Sequence, residues 1–492
     1  MRNFLRQMLY LICGLVLFWT LVHGVEWVHG KWTLAAWTKE LDALGGAPAP
    51  ESLIPPPIPD EENFARASIV VKVLGGKESP FRNAINIPEN NEALGRWMRG
   101  KPADLEAVSK ANNTGDLLKL LALHEGPLRE LEAASRRRSS RVWRSYEPGQ
   151  FGYHPGLEFL NMRAALRILY LRSIARQKVG AMDAALEDIL TSLRILEHLR
   201  REPDFTQNII LRSQVGFPMQ AIWEGLVAHR WNSRQLEQLQ AQLERSDVLA
   251  SLRRSLAWER LGGQKNFKNL LDSRTPSRGL ALWERQQKKF LEEVRESGTD
   301  MNPEVFDRTR PGFVPTLMGD FLFPSGWLVQ NQVRQDQVFV RQLIRAVDPQ
   351  SHQVDPKIVE STPRWWKEGG RTPYTYFAAM ISMEHYTRVF VDASREQNWL
   401  SQASIAIALE RYRLDHGEYP NSLPSLVPAY LTKVPSQVLS GEAMGYARGE
   451  QETFTLWARN WDEKIEHLRE GTTGHRPQAW VWPSLRESTI EN

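Results

Sequence analysis

Met8-Leu9-Tyr10-Leu11-Ile12-Cys13-Gly14-Leu15-Val16-Leu17-Phe18-Trp19-Thr20-Leu21-Val22 carries no charged residue, and the reading of the other parts of the 492-residue chain starts from it. Extended by Gly24 and Val25, the run approaches the roughly 20 apolar residues with which a helix crosses about 30 Å of hydrocarbon. Arg2 and Arg6 precede it, whereas Glu26, Lys31, Lys39, Glu40 and Asp42 behind it nearly cancel. Positive charge is retained on the cytoplasmic side. The expectation is a cytoplasmic stub (residues 1–7), one transmembrane anchor (8–28) and a periplasmic or otherwise extracytoplasmic bulk. Two other readings of the stretch stay open: a signal peptide cut after Val22-His23-Gly24, and a lipid anchor on Cys13. His23 and the lack of Ala weigh against the first, and the bulky Ile12 against the second. Trp19, Trp27, Trp32 and Trp37 suit an interfacial aromatic belt, which favours an uncleaved anchor in the inner membrane.

Behind the anchor the composition is that of a folded protein. Hydrophobic content is 42% and charged content 24%, both ordinary globular values. At about 100–200 residues per domain the length suggests two to four domains. A net charge of +4 demands no acidic partner, so no nucleic acid is expected. Cys13, the only cysteine, lies in the anchor, so the bulk has no disulfide and its stability rests on core burial.

Leu34, Trp37, Leu41 and Leu44 recur at helical spacing and mark a juxtamembrane helix (29–46), closed by Gly45-Gly46. Residues 47–60 contain Pro48, Pro50, Pro55, Pro56, Pro57 and Pro59. An extended polyproline spacer of about 3.1 Å per residue and a strap lying along the first domain are equally compatible with this linker. Residues 61–156 read as mixed α/β, with Ser68 to Leu74 the clearest strand and Leu117 to Leu123 and Leu128 to Ala134 helical. Arg136, Arg137, Arg138, Arg141 and Arg144 form the strongest basic cluster, more consistent with a solvated face than with a phosphate patch.

Residues 157–300 read as helical hairpins. Leu157, Leu160, Ala164, Leu171 and Ile174 line one helix and Ala185, Leu186, Ile189, Leu193 and Leu196 the next. The intervening Gly180-Ala181-Met182-Asp183-Ala184-Ala185-Leu186 resembles the turn inside a tetratricopeptide repeat. Trp231-Asn232-Ser233 looks like a capped helix start, with Leu236, Leu239, Leu243, Leu249, Leu252 and Leu256 following. Residues 301–372 are Pro- and Gly-rich, an irregular connector with one helix over Trp327 to Val347. Between Pro373 and Gly417 nothing breaks a helix, although Glu396-Gln397-Asn398 could join two. The fold class expected is mainly α: an N-terminal transmembrane helix, a helical-hairpin (tetratricopeptide-like) body, and a long helix with a small antiparallel β-sheet in residues 373–492.

The end of the long helix carries a likeness. Ala408-Leu409-Glu410-Arg411-Tyr412-Arg413-Leu414-Asp415-His416-Gly417-Glu418-Tyr419-Pro420, with Leu423, Leu426-Val427-Pro428, Tyr430-Leu431 and Val434-Pro435, resembles the helix-to-loop segment of type II secretion major pseudopilins over about Ile405 to Asn460. The resemblance implies a left-handed cap at Gly417, a returning apolar arm, and two strands at Met444 to Arg448 and Thr453 to Arg459. The family's processed N-terminus and acidic calcium loop are missing, so neither polymerisation nor bound calcium is implied. The whole layout, including Pro55-Pro56-Pro57-Ile58-Pro59-Asp60-Glu61-Glu62-Asn63-Phe64, also resembles a group of bacterial single-pass membrane-anchored proteins with no assigned activity.

Motifs for chemistry are absent. There is no His-Glu-x-x-His, no Gly-x-Ser-x-Gly, and Gly75-Gly76-Lys77 lacks the rest of a phosphate loop. No catalytic residue, cofactor or metal is therefore expected. Glu259 and Glu284, each beside an Arg, are the carboxylates a hydrolase would use. Trp365, Trp366, Trp461, Trp480 and Trp482 are the candidate partner or ligand surface, because indole faces suit protein partners and sugar rings. The functional expectation is a membrane-anchored envelope protein making protein–protein contacts, with a link to secretion machinery. The alternative is an exported hydrolase or glycan-binding protein.

Overall fold

A computed structural model describes residues 2–46, 48–75, 79–81, 118, 121–142, 146, 159, 161–212, 214–272, 324–369, 383–449 and 453–458, the side chains of 2, 270, 363–369 and 383–388 excepted. Helix dominates the described residues. The first, α1, runs unbroken over Arg2–Ala43, about 63 Å at 1.5 Å per residue. The apolar run and the amphipathic stretch behind it are thus one rod, because no residue between them breaks the ladder. Gly45 and Gly46, at φ +95° and +75°, end it, with the Gly46 N–H capping the Leu41 carbonyl at 2.9 Å. The rod is long and apolar enough to span a membrane, and its most apolar stretch is not buried in the protein at all.

The Pro-rich segment, over residues 48–60, takes the strap form. It makes one helical turn at Pro50–Leu53, buries Leu53 and Pro55, and offers the Pro55 carbonyl to Arg141 at 2.6 Å. Ser68 to Leu74 is not the expected strand but a helix, α2 (Ser68–Gly75). Ile69, Val70, Val73 and Leu74 are buried while Val71 is 51% exposed, an i, i+1, i+4, i+5 pattern that one helical face satisfies and a strand does not. Packing overrides the β-branched preference for strand.

The body continues with α3 (Glu125–Ser135), α4 (Met162–Lys178) and α5 (Met182–Arg200). Helices α4 and α5 form an antiparallel hairpin through Gly180 at φ +79°. Buried Arg172 on α4 clasps Asp188 on α5 at 2.6 Å and reaches Glu125 of α3 at 2.7 Å. Next come α6 (Phe205–Arg212), α7 (Gly216–Val227), α8 (Ser233–Leu243) and α9 (Val248–Asp272). Asn232 caps α8 in a reciprocal box with Gln235, and the whole leucine series from Leu236 to Leu256 is buried.

From Pro324 the connector is more regular than its Pro and Gly content suggests. It holds α10 (Ser325–Val338), which continues as a π-helical stretch to Ile344, a short hairpin pairing β1 (Val347–Asp348) with β2 (Gln353–Val354), and α11 (Pro356–Gly369). The long helix α12 (Met383–His416) is a single element. The polar triplet at its middle is buried cross-bracing rather than a joint. Glu396 pairs with Arg200, Gln397 accepts from the Val248 N–H at 3.2 Å, and Asn398 accepts from the Val438 N–H at 3.1 Å.

Gly417, at φ +79°, ends α12. A small antiparallel sheet follows, β3 (Gly445–Arg448) on β4 (Phe454–Trp457), with Gly445 opposite Trp457. Phe454 and Leu456 point into the core, and the Trp457 indole lies so close over Gly445 that a Cβ there would meet it at 2.0 Å.

Candidate functional site at the root of the long apolar helix

The densest set of long-range polar contacts to α1 lies just past its apolar run. Helices α1 and α10 run side by side in the same direction, and small residues let them touch. A Cβ on Gly326 would stand 1.9 Å from the Glu26 carbonyl, and one on Gly30 would stand 2.9 Å from that of Gly326. Gln330 donates to the Glu26 carboxylate at 3.2 Å and lies 3.3 Å from His29 Nδ1. Two turns further out, the buried Trp37 Nε1–H donates to Asp336 at 2.6 Å. The same carboxylate receives Arg260 through Nε at 2.5 Å and Nη2 at 2.9 Å, and Gln264 at 2.9 Å. Arg341 then pairs with Glu40 and lies 5.3 Å over the Trp37 ring.

Asp336 and Arg260 are 3% and 2% exposed. Ions so placed are tolerable only when paired and fully hydrogen-bonded, and four donors on one carboxylate meet that condition. Chemically this is a rigid clamp. It fixes the direction in which the rod leaves the body, and it offers no nucleophile or open coordination site.

A second polar knot fixes α12. The Glu410 carboxylate accepts Arg413 at 2.8 Å, Tyr419 OH at 2.8 Å and lies 2.9 Å from His229 Nδ1. Burial pushes its carboxyl up, but the bonds from Arg413, His229 and Tyr419 outweigh it and hold Glu410 below the ordinary carboxylate value. His229 itself sits at φ +49°, in the left-handed region.

Of the carboxylates singled out from sequence, Glu259 lies on α9 and Glu284 lies outside the described residues. Burial, with the Asp204 carboxylate adding to it, pushes Glu259 up to about 7. Burial likewise pushes Glu202 up to about 7 and Asp204 up to about 6. Glu202 accepts the Tyr146 OH at 2.6 Å and the Val142 N–H at 2.7 Å, and Asp204 accepts the Gln207 N–H at 2.6 Å. Both are engaged in structure. Among the described residues no three His, Cys, Asp or Glu converge as a metal site.

Of the basic cluster, Arg136, Arg137 and Arg141 have partners, and Arg144 lies outside the described residues. Arg136 pairs with Glu132 at 2.8 Å and Glu187 at 3.0 Å. Arg137 donates to the Asp60 and Asn63 carbonyls at 3.0 and 2.8 Å, so with Arg141 these side chains hold down the strap. Trp365 and Trp366 fall on α11. Their side chains, and Trp461, Trp480 and Trp482 entirely, lie outside the described residues.

Sequence reading missed Gly326, Asp336 and Arg260. Gly30 and Asp336, the one acidic residue of α10, were the available signals. No protein-family model, curated protein or solved structure matches this chain.

Proposed function

We propose that this is a non-enzymatic envelope protein of the inner membrane, held by α1 with its bulk on the extracytoplasmic side, and that it works by presenting a rigid helical surface to a protein partner. The observation that carries the reading is the clamp at Trp37, Asp336 and Arg260. A flexible tether needs no such device, whereas a scaffold that must face its partner in one direction does. The hairpin at Gly180 supports a tetratricopeptide-like body. The long helix, left-handed cap and small sheet of residues 405–460 support a pseudopilin-like unit, and with it a secretion component as the partner. Crosslinking the full chain in native membranes, extracting with detergent and identifying the crosslinked proteins tests this. Secretion or other envelope components crosslinked through residues 383–458 support it, and recovery of the chain alone contradicts it.

A second reading, an exported hydrolase or glycan-binding protein, is favoured by one observation. Glu259 is pushed up to about 7, which suits a general acid. Peptidoglycan cleavage by the purified chain that Glu259→Gln abolishes, with folding intact, would favour it over the scaffold.

A further inference from the structure

Between Arg6 and Lys31 the only Asp, Glu, Lys or Arg is Glu26. Its side chain is only 15% exposed and is turned toward Gln330 of the body. The outward face of α1 is therefore free of formal charge for about 36 Å at 1.5 Å per residue, more than the roughly 30 Å of a hydrocarbon core. On that face Leu21, Val25, Val28 and Trp32 are 67%, 61%, 46% and 72% exposed. Their steps of four, three and four place them on one stripe, which continues about 10 Å past Val25. Lys31 Nζ lies 4.7 Å over the Trp27 ring, a pairing suited to the lipid–water boundary, where the ring rests among glycerol groups and the ammonium reaches phosphate.

The opposite face of the same turns carries the body. Because Gly326 packs on Glu26 and Gly30 and the two helices run in the same direction, the first turn of α10 stands at the height of Glu26 to Gly30. That height falls within the apolar stripe. A polypeptide fixed there by the clamp cannot withdraw from the bilayer surface without sliding α1 out of the hydrocarbon.

We propose that the body is seated on the membrane rather than hung from it: the stripe Val25, Val28 and Trp32 is immersed to headgroup level and carries the start of α10, Ser325 to Trp327, into the same layer. The partner of this face is a phospholipid bilayer surface. The inference rests on the anchored reading of α1 and adds to it a second contact that fixes the height and tilt of the body.

The test uses the full chain in phospholipid nanodiscs, with Cys13→Ala so that one introduced cysteine carries a nitroxide. Labels at Val25→Cys, Ser325→Cys and Ser351→Cys are compared by their relaxation with oxygen, which concentrates in lipid, and a water-soluble nickel chelate. Seating predicts a Ser325 label intermediate between the other two, with a several-fold higher oxygen-to-nickel ratio than Ser351, and a shift toward the Ser351 value when Trp32→Glu is added. A Ser325 label that matches Ser351 while the chain still co-elutes with nanodiscs overturns the seating and leaves the anchor standing. Failure to co-elute overturns the anchored reading itself. Shielding from both relaxants with dipolar broadening between chains would assign the stripe to a second copy and also overturn the proposal.

Discussion

The Trp37 indole donates its N–H to the Asp336 carboxylate at 2.6 Å, joining positions 299 residues apart. Through Arg260 on the other side of that carboxylate, three helices meet: the rod that leaves the protein, the helix beside it and the longest helix of the body's first half. Loss of the carboxylate charge leaves Arg260 buried and unpaired. Asp336→Asn is therefore expected to cost about 3–5 kcal/mol, read as a fall in the urea midpoint of the purified chain. Trp37→Phe removes one hydrogen bond to a charged group and keeps most of the packing, and about 1.5–3 kcal/mol is expected.

Gly326→Ala places a methyl where the Glu26 carbonyl stands 1.9 Å away, so α1 and α10 must separate. The expected outcome is trypsin cleavage at Lys31 and Lys39 that is much faster than in the parent chain. Gly24→Ala meets nothing within 4 Å and should leave the cleavage rate unchanged.

The buried pair of Arg200 and Glu396 ties the middle of α12 to the end of α5. Glu396→Gln strands Arg200, with Arg212 3.8 Å from the same carboxylate, and should cost about 3–5 kcal/mol. Asn232→Ala removes only the cap of α8 and should cost about 1 kcal/mol. Thermal midpoints of the two variants check the order.

Glu202 rises from an ordinary 4.5 to about 7 on folding, through burial. The folded state holds this proton more tightly than the unfolded chain does. Its contribution is complete below about pH 4.5 and is lost as pH rises through about 7. Glu202→Gln is expected to flatten the decline of the urea midpoint across that window, by at most about 3 kcal/mol at neutral pH.

Legibility followed the range of the interactions. The long apolar helix, the Gly180 turn, the Asn232 cap and the buried leucines of α8 and α9 are local, written in spacing and punctuation. Ser68 to Leu74 misled because β-branched residues favour strand until a packed face decides otherwise, and that face is supplied by residues far along the chain. Glu396-Gln397-Asn398 looked like a break because polarity marks loops, yet each finds a buried partner from another segment. The clamp was illegible for the same reason: nothing near Trp37 in sequence announces Asp336 or Arg260.

Hydrogen–deuterium exchange on the full chain in nanodiscs measures the docking of the rod directly. The amides of residues 33–43 are expected to exchange as slowly as those of residues 325–338, and Asp336→Asn should accelerate both together. Rapid exchange over 33–43 in the parent chain, with 325–338 slow and insensitive to Asp336→Asn, would contradict a body rigidly fixed to its long apolar helix.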